Sequence, residues 1–133
     1  MTTTTKLSLT TALRGLADHL DRYNLADDVI GIRLGGVSCE AARDRVVVHV
    51  YQHPTLLSWI ASLDDVTALA EVYSEDSLHV EVLGVAAERP LCVVFCASPE
   101  RHSDLHSALL AALDPEFDEY QPIDVALLLG GAA

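Results

Sequence analysis

The chain has 133 residues, a length that suits one domain and lets it bury roughly two thirds of the surface exposed on unfolding. Half of the residues are hydrophobic and 21% are charged, which argues against disorder over most of the chain. Its 20 acidic against 8 basic residues give a formal net charge of −12, so repulsion from phosphates argues against direct nucleic-acid binding and favours encounter with basic partners.

Aromatic residues are scarce, with one Trp and two Phe, which disfavours sites that stack sugars or bases on rings. The mean hydropathy of +0.28 is high for a monomer and implies apolar surface covered by a partner or a second copy. Cys39, Cys92 and Cys96 are an odd count without framework spacing, so reduced thiols in the cytoplasm are expected. The N-terminal stretch is interrupted by Thr10, Thr11 and Arg14 and does not read as a signal peptide. No apolar run approaches the roughly 20 residues that span a bilayer.

Leu9, Leu13, Leu16, Leu20 and Tyr23 recur at helical spacing and predict a helix over 8–23, with Ser8 or Thr10 as its cap. Arg14, Asp18 and Arg22 lie on the opposite face. Val29 to Leu34 alternates and predicts a half-buried strand, with Ile30, Ile32 and Leu34 on one side. Arg45 to Tyr51 predicts a second strand, antiparallel to the first across a loose connection from Gly35 to Asp44. Pro54 suits a helix start, and Leu56, Trp59, Ile60 and Leu63 then form one apolar face. Asp64 and Asp65 oppose the dipole at that helix's end and break it.

The stretch 66–73 reads as either helix or strand. The polar turn Ser74-Glu75-Asp76-Ser77 and the alternation of Leu78 to Val82 favour a hairpin, hence a strand. Leu91 to Ala97 is a further strand, and Gly84 marks a possible bulge. Ser98-Pro99-Glu100 is a helix-start signature, followed by the stripe Leu105, Ala108, Leu109, Ala112 and Leu113. Residues 114–124 hold five acids and no base and read as an acidic exposed loop. Ile123 to Leu129 fits a closing strand or a last helical turn.

One domain over 1–133 is therefore expected, of class α+β, with an antiparallel sheet of about five strands covered by helices in the order α-β-β-α-β-β-β-α. In that order alone it resembles roadblock-type dimerisation domains and, less closely, small secretion chaperones; no residue motif carries the likeness and no site follows from it.

Chemistry-bearing residues do not converge in the sequence. His102 and His106 are four apart with Asp104 between them, a spacing that can share a metal ion, but the Glu that zincin proteases place after the first His is absent. A half-buried structural role is the reading preferred for both, so no metal and no cofactor are assigned. His49 and His53 fall in different elements. Cys92 and Cys96 share a strand face about 13 Å apart, too far for a disulfide. Cys39 lies near Arg43 and Arg45, which favour its thiolate, and beside Glu40, which opposes it. A phosphate loop is excluded, since the only lysine is Lys6.

The expected function is a non-catalytic protein-interaction module of the cytoplasm, dimeric, acting as adaptor, regulator or small chaperone. Asp114, Glu116, Asp118, Glu119 and Tyr120 are the candidate partner-binding residues. The alternatives are an acidic inhibitor or immunity-type protein that enters a basic cleft, and a small metal-dependent enzyme using His102 and His106.

Overall fold

A computed structural model describes residues 9–25, 27, 29–34, 46–74, 77–86, 89–116 and 119–129. The element order is α1 (Leu9–Tyr23), β1 (Val29–Leu34), β2 (Val46–Val50), α2 (His53–Ser62), β3 (Asp64–Ser74), β4 (Ser77–Ala86), β5 (Arg89–Ala97), α3 (Ser103–Ala112), β6 (Gln121–Ile123) and α4 (Val125–Leu128). The class is α+β, and the expected order continues through the tail, which supplies both a short strand and a short helix. The Gly35–Asp44 connection, Cys39 and Ser8 lie outside the described residues.

The six strands form one sheet in the order β1-β2-β5-β4-β3-β6. Its pairings are antiparallel except for β2 with β5, which run parallel from Val46 opposite Leu91 to Val50 opposite Phe95. Hairpins account for β3-β4-β5. The parallel pair arises because α2 carries the chain across the sheet after β2, so β4 and β5 are inserted between β2 and β3. Parallel strands are buried on both faces and read as continuous apolar runs, and Val46, Val47 and Val48 are all buried.

Residues from α1, α2, α3 and α4 join one apolar cluster with Val48, Val80, Val82, Val93 and Phe95 on one face of the sheet. Trp59, Leu56, Leu109 and Leu128 are fully buried in it. On the other face Val47, Leu83 and Cys92 form a smaller cluster, with Leu69 and Val94 packed against it.

Local details revise several expectations. The α1 stripe is rotated: Leu16 and His19 face inward while Leu13 and Tyr23 are each 46% exposed. At the helix end Asn24 is left-handed (φ 54°) and the Leu25 N–H donates to the Leu20 carbonyl at 3.0 Å, closing a Schellman-type stop over buried Leu25. In β1 a bulge between Val29 and Gly31 leaves Ile30 as the extra residue. Strict alternation therefore fails there: Ile32 is in register with Val48 while Ile30 falls in the bulge, and both isoleucines are exposed. The bulge anticipated at Gly84 sits across from it on β3, where Asp65 and Val66 are inserted between the partners of Val85 and Leu83. Asp65 takes φ 53°, the left-handed geometry such a bulge needs.

The helix start at Ser98 is also displaced. Ser98 Oγ accepts the Arg101 N–H at 3.2 Å and its carbonyl accepts the His102 N–H at 2.9 Å, which makes a single turn. His102 then leaves helical geometry (φ −137°, ψ 48°), and α3 begins at Ser103.

A cleft at the end of the parallel pair

Because β2 and β5 are parallel, they end on the same side of the molecule, and α2 and α3 both start there. Between them lies a cleft of about 920 Å³. One wall is Tyr51, Gln52 and His53 after β2; the facing wall is Arg101, His102 and Ser103 after β5. Leu105 and Ala108 of α3 and Leu127 and Leu129 at α4 supply apolar lining. In open parallel α/β sheets ligands sit in crevices at the carboxyl ends of the strands, and the β2–β5 pair places a cleft at the same ends here.

The polar groups of the cleft are held by specific contacts. His53 Nε2 donates to the Leu128 carbonyl at 2.6 Å, which fixes the tautomer and ties the start of α2 to α4. The Ser98 N–H donates to His102 Nδ1 at 3.3 Å, so His102 carries its proton on Nε2. Phe95 stacks between these two imidazoles, edge-on to His102 at 4.9 Å and tilted to His53 at 6.1 Å. Burial holds the His102 pKa below the usual imidazole value, and the charges of Arg101 and His53 lower it further. The Arg101 guanidinium sits 4.5 Å from the centre of the Tyr51 ring, a cation–π contact that positions an exposed charge.

The sequence candidates are placed differently. His102 stands at the N-cap position of α3 without a side-chain capping bond and lines the cleft, while His106 is buried one turn on, its Nε2 without a hydrogen-bond partner among the described residues, and does not line it. The pair therefore does not converge on one site. Among the described residues no group of three or more His, Cys, Asp or Glu side chains is arranged to hold a metal. His49 lies on β2 and His53 opens α2. Cys92 is buried and Cys96 half-buried on β5, neither in a disulfide.

The acidic segment is organised by its own backbone. Gln121 clamps Asp114, accepting its N–H at 2.9 Å and donating to its carbonyl at 3.0 Å. Asp114 Oδ1 accepts the Glu116 N–H at 3.0 Å, and Asp124 Oδ1 caps α4 through the Ala126 N–H at 2.9 Å. Glu116 and Glu119 are exposed, Tyr120 is half-buried, and Asp118 lies outside the described residues.

Three features escaped the sequence reading. The cleft joins residues 50 positions apart through a parallel pairing that periodicity does not report. His19, which falls outside the leucine stripe, is buried against Ser62 and Trp59. On the sheet face away from the helices, Glu81 is 1% exposed with Glu71 and His79 close by. Burial lowers the His79 pKa there, against the opposing pull of the two carboxylates.

No protein-family model matches the chain, no curated protein matches it, and no solved structure matches its fold. Among the described residues no helix is long and apolar enough to cross a membrane.

Proposed function

We propose that the chain is a non-catalytic protein-interaction module of the cytoplasm, an adaptor, regulator or small chaperone, that pairs with a second copy of itself along the outer edge of β1. The contrast between the two edges of the sheet carries this reading. β6 is three residues long with Pro122 at its centre, and short edges bearing proline resist further pairing. β1 has six residues with no proline and no acid, and among the described residues it pairs with β2 alone.

β1 also exposes large aliphatics, Ile30 at 64% and Ile32 at 45%. A strand that leaves main-chain groups and isoleucines in water gains on both counts when it meets another strand. The bulge at Ile30 shortens the regular stretch but leaves Gly31 to Leu34 in unbroken register with β2. Antiparallel pairing of this segment with its own copy is self-complementary, as a two-fold interface requires. Arg33 is the only charged residue of β1, so this contact brings no acids face to face between chains that each carry −12.

Light scattering over a concentration series at low and moderate salt tests the proposal. The mass should rise from 14.3 kDa toward twice that value, and at lower concentration when salt screens the net charge. A 14.3 kDa particle at every concentration and ionic strength would contradict it.

A further inference from the structure

The cleft between the ends of β2 and β5 is lined by both polar and aliphatic side chains, and the combination specifies a ligand. Its volume of about 920 Å³ is enough for a small organic molecule. Among the described residues Arg101 is the only Lys or Arg lining it, and it is engaged by the Tyr51 ring rather than by a carboxylate. A guanidinium seated over a ring still offers its in-plane N–H groups, the fork that matches a carboxylate. Beside it His102 carries its ring proton on Nε2, since Nδ1 accepts from the backbone. The rest of the lining includes the aliphatic side chains of Leu57, Leu105, Ala108 and Leu127. Among the described residues Asp104 is the one acid in the lining, and it is exposed to solvent, where screening is strongest.

We propose that this cleft binds a small carboxylic acid with an apolar body, its carboxylate paired with Arg101 and its body laid on Leu57, Leu105 and Leu127. The proposal does not depend on pairing through β1, because the lining includes no β1 residue. Charge complementarity decides the occupant: in a chain of 20 acids and 8 bases, an Arg that no carboxylate pairs with among the described residues, beside aliphatic lining, favours an amphipathic anion over a cation or a sugar.

Fluorescence titration with anilinonaphthalene sulfonate, an anion with an apolar body, tests this on the full chain, with decanoate and decanol as competitors. Saturable binding of one probe per chain is expected, with native near-ultraviolet dichroism retained throughout. Decanoate should displace the probe and decanol should not. Arg101→Gln, at an exposed site, should weaken binding by about tenfold, one charged pairing in affinity; Arg101→Lys should restore part of the loss. Ala108→Trp should block binding by filling the cleft beside its aliphatic lining, whereas Ile30→Lys/Ile32→Lys should leave it unchanged. Absence of saturable binding, equal displacement by decanol, or wild-type affinity in Arg101→Gln would each overturn the proposal. Probe fluorescence that appears only as near-ultraviolet dichroism is lost would also overturn it.

Discussion

His19 Nε2 lies 2.9 Å from Ser62 Oγ, and Ser62 gives its own proton to the Trp59 carbonyl at 2.7 Å. The hydroxyl must therefore accept from the imidazole, so His19 carries a proton on Nε2. Its ring also packs on Tyr23 at 4.7 Å and on Trp59 at 5.6 Å, joining α1 to the end of α2. Burial lowers its pKa, and the Arg22 charge adds to the effect.

This geometry predicts acid sensitivity. A histidine whose folded pKa is depressed binds its proton more readily in the unfolded chain, so its contribution to stability is present above the ordinary value of about 6.5 and lost as pH falls through the folded value. His79 and His102 shift in the same direction and add to the slope. Urea unfolding should show lower stability at pH 5.5 than at 7.5, and His19→Gln should flatten part of that difference. Because Trp59 is the only tryptophan, its fluorescence should change over the same pH range in the wild type and less in the variant.

Gly84 predicts a steric effect. A Cβ there would lie 2.9 Å from Leu63 Cβ and 3.3 Å from the Asp64 carbonyl oxygen. Gly84→Ala should cost about 1–3 kcal/mol, the usual penalty for overpacking, as read by denaturant midpoint. Across the ladder Asp65 holds a left-handed φ of 53°. Asp65→Gly should therefore be neutral or stabilising by under about 1 kcal/mol, while Asp65→Val should destabilise.

The His53 contact with the Leu128 carbonyl predicts how the tail is held. α4 is four residues long, too short to persist without tertiary support. His53→Ala should cost about 1–2 kcal/mol and speed amide exchange in Val125–Leu128 before it affects the central strands.

The elements themselves were largely legible. Leu56, Trp59 and Ile60 are spaced for one helix face and are buried on it. Hairpin logic gave β3-β4-β5, because short polar turns leave the chain little choice. It failed for β2 and β5, where a helix separates strands from their neighbours and only the consecutive buried valines 46–48 hinted at a central parallel strand. Left-handed residues were equally hidden: Asp65 read as a helix breaker, and its work as a bulge depends on Gly84 across the ladder. His102 and His106 illustrate the limit for sites. Four-residue spacing implies a shared face only inside a helix, and His102 leaves the helix to accept the Ser98 N–H. Arg101, Tyr51 and His53 carry no local motif, and the parallel pairing alone brings them together.

Hydrogen exchange resolved along β1 tests the edge-pairing account most directly. At high protein concentration the β1 amides that point away from β2 should be protected, and that protection should fall on dilution and in Ile30→Lys/Ile32→Lys, with β6 amides unchanged as the internal reference. Outward-pointing β1 amides that exchange equally fast at every concentration would contradict it.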